Sequence, residues 1–455
     1  LLLRAARQLE AYDPRLARDT YLDAVNAAMF AGPLAGDTDQ LRAAEAALAA
    51  PVTGGPPRPV DLLLEGLAAL VVEGHATGVP KVRKALEAFA SPDLPAEVGL
   101  RWMWVAALAA AMIWDHDAWG QLADRHLALC ETSGQVAARP FALSTRASVD
   151  IFAGDLASAA ALADEVKIVS EAVGISHPAY VALMVAAWQG RDQFHAALRR
   201  TADAEASRRG EGVALIVSGW GRAVLCNSLG RYREALTAAA AAADHPRREA
   251  SVGVGWALVE YVEAAVRAGV PGDAAEAFGR LVELTRPSGT EWALGVEARC
   301  RALLTEGGEA EAYYREAVER LGRTGVRGEL ARARLLYGEW LRRERRQREA
   351  REQLRAAHEE FSAMRMEAFA RRAERELQAT GERTRESGVE ASNDLTSQET
   401  QIVRLVREGL TNAEIGARIF ISPRTVEWHL RNIFPKLGVT SRRQLQRAQQ
   451  GVSSG

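Results

Sequence analysis

The sequence predicts an all-α protein in which a long array of paired helices precedes a small four-helix domain. Three observations support this prediction: an alanine-rich composition, a regular repeat along the first 380 residues, and four amphipathic segments with helix-cap signals near the C-terminus. Of 455 residues, 87 are Ala, whereas aromatic residues reach only 6%. Alanine favours closely packed helices, and sheets favour β-branched and aromatic residues, so the composition argues against a β protein.

The repeat consists of a small or polar residue, an apolar residue two positions later and, three positions further on, a residue that is usually Ala. One copy is Gly230/Tyr232/Ala235. The nine copies begin at Asp39, Pro80, Asp117, Gly154, Asp192, Gly230, Gly272, Gly308 and Arg345. Successive spacings lie between 36 and 42 residues. Each unit is expected to be two antiparallel helices that bury their apolar stripes by stacking on neighbouring units. The array resembles the tetratricopeptide class of α-solenoids, and we assign residues 1–378 to it.

The sequence does not identify what such an array binds. A helical solenoid offers a concave groove to a peptide, a partner domain or a small molecule. Trp102, Trp104 and Trp114 have helical spacing, which is more typical of a core than of a ligand site. Five histidines lack metal-ligand spacing and are interpreted as ordinary surface or packed residues: His116, His126, His177, His195 and His358.

Several function classes are disfavoured by the sequence. Cys130, Cys226 and Cys300 lie far apart without CxxC spacing, so neither disulfides nor zinc is predicted, and a reducing cytoplasm is expected. The apolar run from Trp102 to Trp114 is shorter than the about 20 residues that a bilayer span needs, so no membrane partner is expected. The sequence has no metal, nucleophile or phosphate-loop motif, and we expect neither enzymatic activity nor a cofactor in this chain.

A polar, glycine-broken segment, residues 379–394, is predicted to be a linker to a domain at residues 395–450. Cap signals divide that domain into four helices. The signals are Thr396 with Glu399, Gly409 as a stop, Thr411 with Glu414, Ser422 before Pro423, and Thr440 or Ser441 before the fourth helix. The second and third helices are a helix-turn-helix candidate.

At roughly 100° per residue, the third helix separates into distinct faces. Its apolar stripe consists of Val426, Leu430, Ile433 and Leu437. Its outward face consists of Arg424, Glu427, Trp428 and Arg431. One flank consists of His429, Asn432 and Lys436. This flank would lie beside a DNA phosphate strand when the helix sits in the major groove. Pro435 lacks an N–H and is expected to kink or end this helix near Asn432.

The charge distribution also favours DNA binding. Between Asp394 and Ala448 there are nine basic and five acidic residues, a net charge of +4, whereas the other 400 residues sum to −6. Arg442 and Arg443, at the start of the fourth helix, and Arg424 are therefore assigned to phosphate contacts, which supply affinity without sequence choice.

The segment LTSQETQIVRLVREGLTNAEIGARIFISPRTVEWHLRNIFPKLGVTSRRQL resembles the LuxR-type helix-turn-helix domain over its whole length. The resemblance implies base contacts from Glu427, Trp428 and Arg431. It implies DNA-backbone contacts from Thr411, Asn412, Thr425, His429, Asn432, Lys436 and Arg442. It also implies pairing of two copies through Gln444 and Leu445 in the fourth helix.

The run LLYGEWLRRERRQREAREQLRAAHEEF before the linker is similar to large ATP-binding regulators of the LuxR family. That resemblance implies an ATPase domain upstream of Leu1, through which ATP would act. The leading hypothesis is a cytoplasmic bacterial regulator, more an activator than a repressor, that dimerises on promoter DNA, contacts RNA polymerase and senses an unknown small-molecule or protein effector through its repeats. The alternative is a helical-repeat interaction scaffold with a vestigial DNA-binding module.

Overall fold

A computed structural model describes residues 1–36, 39–52, 54–175, 178–243, 251–381, 397–419, 423–437, 439 and 441–447. The chain divides into two compact units, Leu1–Glu382 and Arg383–Gly455. Within the described residues all regular structure is helical. None of the described helices is long and apolar enough to cross a membrane.

The first unit contains twenty described α-helices and two short 3₁₀ helices, Gly32–Leu34 and Gly307–Glu309. In chain order the α-helices are α1 (Leu2–Leu9), α2 (Pro14–Ala31), α3 (Asp39–Ala49), α4 (Pro59–Val72), α5 (His75–Ala90), α6 (Ala96–Met112), α7 (His116–Ser133), α8 (Arg139–Ala153), α9 (Leu156–Val173), α10 (Tyr180–Trp188), α11 (Asp192–Arg209), α12 (Gly212–Ser228), α13 (Tyr232–Ala243), α14 (Val254–Ala268), α15 (Pro271–Ser288), α16 (Glu291–Leu304), α17 (Ala310–Leu321), α18 (Arg327–Arg343), α19 (Gln347–Ala363) and α20 (Glu367–Ala379).

The predicted array of helical pairs is confirmed. Eight of the nine repeat positions lie within two residues of the start of an odd-numbered helix, as Asp192 does for α11 and Gly230 for α13. The ninth prediction, at Pro80, is wrong because α5 begins at His75 and Pro80 lies inside it. The turn before α5 is made instead by Gly74, whose φ of 82° suits a residue without a side chain.

Helices ten apart in the chain also pack on one another. α12 packs on α2 and on Gly32–Leu34, α15 packs on α5, and α18 packs on α8. Five helical pairs therefore complete one turn of a superhelix, and successive turns touch. Gly212 shows how close they come, because a Cβ atom there would lie 2.1 Å from the backbone oxygen of Ala31.

Aromatic side chains form a contact cluster in the interior of the repeat unit. Trp256 contacts Trp119, Phe152, Trp220 and Trp292, with ring centroids 4.9 to 6.3 Å apart. Trp102 and Trp114 are buried, as the core interpretation of the sequence expects. Trp104 is half-buried and lines a cavity. These aromatic side chains form part of the protein's own core or pack against it.

Charged residues are also buried inside the first unit. Arg332 on α18 pairs with Glu260 and Glu263 on α14, and Arg372 on α20 pairs with Glu263 and Glu339. All five side chains expose 4% or less of their surface. These pairs join three helices that the local sequence pattern does not connect.

The second unit contains four described helices: α21 (Ser397–Arg407), α22 (Asn412–Ile419), α23 (Pro423–Lys436) and α24 (Arg442–Arg447). α21 packs against each of the other three. Its Ile402, Leu405 and Val406 are buried with Ile415 of α22, as the apolar pattern predicts.

Candidate nucleic-acid interface

α23 is the element that the sequence predicts to enter DNA. Val426, Leu430 and Ile433 are buried in the core of the second unit, and Leu437 packs against that core half-buried. The apolar stripe is therefore where the helical geometry predicts it. Because α23 is continuous, helix positions 424, 427, 428 and 431 lie away from this stripe. The helix has one face sealed by its neighbours and another turned outward.

The ending predicted for α23 near Asn432 is wrong, because the helix continues to Lys436. After it, the Leu437 N–H donates to the Ile433 carbonyl, and the Val439 N–H donates to the Phe434 carbonyl. Pro435 stands next to the last residue of the helix. Its missing N–H removes a bond only from the final turn, which is too little to end the helix a turn earlier.

The structure describes three predicted contact residues of α23. Glu427 is exposed, and Thr425 and His429 are half-buried. Thr425 and His429 also differ from Glu427 in facing partly towards the core side of the helix. The side chains of the remaining predicted residues of this helix lie outside the described residues: Arg424, Trp428, Arg431, Asn432 and Lys436. Their DNA contacts stay predictions.

The start of α22 has the capping box that its sequence predicts. The backbone N–H and the hydroxyl of Thr411 donate to Glu414 Oε2 at 2.7 and 2.8 Å, and the Glu414 N–H donates back to the Thr411 hydroxyl at 3.4 Å. These hydrogen bonds, first of all that from the Thr411 backbone, lower the pKa of the Glu414 carboxyl below its usual value. Thr411 thus uses its hydroxyl in the cap, and a phosphate contact would require that hydroxyl to turn away from Glu414.

Gly409 separates α21 from α22 in a Schellman arrangement. The Gly409 N–H donates to Val406 and the Leu410 N–H donates to Leu405, while Gly409 has a φ of 89°. Leu410 packs against the core of the unit. This turn places the start of α22 close to the start of α24.

Two predicted backbone contacts, Asn412 and Arg442, lie together in the structure. The Arg442 guanidinium donates to Asn412 Oδ1 at 2.7 Å and also to the backbone carbonyl of Leu410. Sequence reasoning assigned both residues to DNA but missed their contact with each other. No local signal connects them, because they lie 30 residues apart.

The two predicted pairing residues of α24 differ in exposure. Gln444 is exposed, whereas Leu445 is completely buried in the unit's own core. A pairing surface on α24 would therefore be formed by Gln444 rather than by Leu445. Arg443, assigned to phosphate, has a side chain outside the described residues.

The described residues contain no cluster of three or more His, Cys, Asp or Glu side chains able to hold a metal ion. His126 and His195 are packed in the interior, as ordinary histidines are expected to be. His177 lies outside the described residues. The three cysteines are free and buried.

Comparison with known proteins gives matches to the second unit. Residues 393–448 match the family described as bacterial regulatory proteins, luxR family. A protein of Mycobacterium bovis whose name includes the words HTH-type transcriptional regulator is 55% identical over 51 residues, which are 11% of this chain and 6% of that protein. The transcriptional regulatory protein LiaR of Bacillus subtilis is 45% identical over 64 residues, 14% of this chain and 30% of LiaR. The HTH-type transcriptional regulator AlkS of Pseudomonas putida is 34% identical over 64 residues, 14% of this chain and 7% of AlkS.

The chain thus covers between 6% and 30% of the length of these relatives. The matched segment nevertheless contains all four helices of the second unit, including the sealed and outward faces of α23. The C-terminal part of the chain is a helix-turn-helix domain of the LuxR family of bacterial regulatory proteins.

Proposed function

We propose that this chain is a bacterial transcription regulator that binds double-stranded promoter DNA through α23. The observation that carries the proposal is the construction of α23 within a LuxR-family domain: Val426, Leu430 and Ile433 seal one face, and Glu427 is exposed on another. A helix held in this way can enter the major groove and present side chains to base edges. Glu427, Trp428 and Arg431 are the proposed base contacts.

The hydrogen bond between Asn412 and Arg442 supports a phosphate contact beside α23. Arg442 donates to the amide oxygen of Asn412, so the amide nitrogen of Asn412 keeps its donors for another acceptor. A phosphate oxygen is such an acceptor, and the guanidinium adds positive charge next to it. The net charge of +4 between Asp394 and Ala448 acts in the same direction.

The wider role is proposed from the same domain and the repeats. Two copies would pair on DNA with half-sites about one helical turn apart, because a single small module makes few phosphate contacts. The regulator would be cytoplasmic, would activate transcription together with RNA polymerase, and would belong to the large ATP-binding class. This chain would supply the sensor and DNA-binding parts of that class, with no catalytic or cofactor-binding role of its own.

The proposal is tested by selecting bound duplexes from a pool with about 24 random base pairs, long enough for two half-sites one turn apart. The full chain is expected to enrich a two-fold symmetric motif. The Trp428→Ala/Arg431→Ala variant should lose that enrichment because it removes base contacts. Arg443→Ala should weaken binding to all sequences and reduce the slope of log affinity against log salt by about one.

The matched control is Arg348→Ala, which removes an arginine of the repeat unit whose side chain is 92% exposed. It should enrich the same motif as the unaltered chain. Equal, salt-insensitive binding by the unaltered chain and the Trp428→Ala/Arg431→Ala variant would contradict the proposal. That result would favour an interaction scaffold with a vestigial DNA-binding module.

A further inference from the structure

A cavity of about 330 Å³ lies inside the repeat unit. Its walls are mostly apolar, and the aromatic residues among them include Trp104, Trp119, Phe152, Trp220 and Trp256. Small-molecule sites in proteins are largely apolar pockets of about 300 to 1,000 Å³ with a few polar groups that orient the ligand. The cavity has both properties.

The aromatic wall is ordered by its own contacts. Phe152 and Trp220 stack with centroids 5.7 Å apart and planes 9° apart, and Trp119 stacks with Trp256 at 6.0 Å and 24°. Such rings keep little rotational freedom to lose when a ligand arrives, and their apolar surface can pack against an aromatic ligand. They suit a planar aromatic molecule.

Hydroxyl groups on α8 supply hydrogen-bond acceptors to the cavity. Thr145 donates its hydroxyl proton to the Phe141 carbonyl at 2.8 Å, and Ser148 donates its own to the Ser144 carbonyl at 2.8 Å. With the protons committed to the backbone, the oxygen atoms retain lone pairs. Both residues line the cavity, so a ligand hydroxyl or amine can donate to them.

The charge at the cavity disfavours anions. Among the described lining residues, Glu211 is the only one that carries a charge, and it pairs with Arg209 at 3.0 Å. Burial and the nearby Glu211 carboxylate raise the pKa of Tyr180, so that phenol remains a protonated donor. An anionic ligand would give up its hydration in a mostly apolar cavity that has no cationic side chain among its described lining residues, which costs free energy.

We propose that this cavity is the effector site of the repeat unit and that it binds a planar polycyclic aromatic molecule that is not anionic and carries a hydroxyl group. The inference deepens the proposed sensing role and rests on it. Stacking on the Trp and Phe rings supplies affinity. Thr145 and Ser148 select the hydroxyl-bearing ligand.

The test uses three fluorescent probes that share one ring system: 1-hydroxypyrene, pyrene and 1-pyrenesulfonate. Binding is measured on the full chain by energy transfer from tryptophan to the probe. We expect one site, with 1-hydroxypyrene bound at least tenfold more tightly than 1-pyrenesulfonate. Thr145→Val should reduce the preference for 1-hydroxypyrene over pyrene and leave pyrene binding within a factor of about two.

Ser148→Phe places a ring in the cavity and should weaken binding of all three probes at least tenfold. Its matched control is Ser133→Phe, at an exposed position near the end of α7 that does not line the cavity, which should leave binding unchanged. Circular dichroism of both variants checks that the repeats are folded. Failure of Ser148→Phe to fold would leave the Thr145→Val comparison to decide.

Absence of probe binding, equal binding by Ser148→Phe and Ser133→Phe, or tight binding of the sulfonate would overturn the inference. DNA selection by the same protein preparations separates this outcome from failure of the proposed function. A chain that enriches a DNA motif but binds no probe refutes the cavity site alone.

Discussion

Replacing Arg332 by Met should destabilise the repeat unit strongly, because it leaves two buried carboxylates without their main partner. The Arg332 guanidinium lies 2.9 Å from Glu260 Oε2 and 2.7 Å from Glu263 Oε2, and it also pairs with Glu260 Oε1. Arg332 and Glu260 expose 1% of their side chains and Glu263 exposes 3%. Removing one partner of a pair buried to this degree costs about 3 to 5 kcal/mol.

The two carboxylates are not equivalent after the substitution. Glu263 keeps the charged Arg372 at 2.8 Å, whereas Glu260 keeps the neutral amide of Asn227, which donates to Glu260 Oε2 at the same distance. Burial already raises the pKa of Glu260 despite its pairing with Arg332. Without Arg332 that carboxyl should take up a proton more readily, so the loss of stability should be smaller at pH 5 than at pH 8.

The assay is urea unfolding followed by tryptophan fluorescence and circular dichroism, with coincident transitions required before free energies are compared. Arg348→Met is the matched control, because Arg348 is 92% exposed and pairs with Glu352 at 3.5 Å. It should change the free energy of unfolding by less than about 0.5 kcal/mol. Arg332→Met/Glu260→Met should recover at least half of the loss. An Arg332→Met effect no larger than that of Arg348→Met would refute the reasoning.

Two further predictions concern buried histidines and helix contacts. Burial lowers the pKa of His75, His126 and His195 to about 4, so the unfolded chain binds more protons than the folded chain between pH 6.5 and 4. The free energy of unfolding should therefore fall as the pH falls through that range, by up to about 3 kcal/mol per histidine. His126→Leu should flatten the slope of the urea midpoint plotted against pH, and an unchanged slope would contradict this prediction. Gly78→Ala would place a Cβ 2.7 Å from the Leu70 backbone nitrogen and should cost about 1 to 3 kcal/mol. The control is Gly279→Ala, where the added Cβ would have no atom within 4 Å, and it should stabilise its helix by about 0.5 to 1 kcal/mol. Equal effects of the two substitutions on the melting temperature would refute the close contact between Gly78 and Leu70.

Local sequence signals locate the helices well but not the packing between turns of the superhelix. Asp192 and Gly230 mark helix starts because a cap or a tight turn needs only a few neighbouring residues. The approach of Gly212 to Ala31 depends instead on the small rotation between successive repeats, accumulated over five of them. No local sequence pattern encodes this accumulated rotation, so neither segment by itself predicts the contact.

Ion pairs also differ in whether local sequence can predict them. Arg348 and Glu352 lie four residues apart on one helix and form an exposed pair that local sequence can indicate. Arg332 and Glu260 are 72 residues apart and meet only when α14 and α18 pack together. The aromatic cluster did leave a sequence signal, because Trp220, Trp256 and Trp292 recur at intervals of 36 residues. That interval lies at the lower end of the repeat spacing and marks a buried position of the even-numbered helices α12, α14 and α16.

In the second unit, prediction succeeded for the helices and the apolar stripe of α23 and failed for its end. Cap residues and a 3.6-residue period fix both features locally. The Asn412 to Arg442 hydrogen bond joins helices that are distant in sequence, so it required the packed structure. The outward residues stay predictions of the LuxR-type pattern.

The position of the cavity makes it suitable for sensing as well as binding. Phe30 and Trp104 come from α2 and α6, whereas Trp220 and Trp256 come from α12 and α14, so the cavity lies between two successive turns. A ligand shifts an equilibrium only when it contacts the alternative arrangements differently. A molecule seated here touches both turns and is therefore sensitive to their separation, whereas one bound to a single turn is not. The nearby approach of Gly212 to Ala31 and Pro33 is another contact between the same two turns. Movement between the turns at this junction would change the ligand's own contacts, so the α2 to α12 contact is where effector binding should be converted into a change in the repeats.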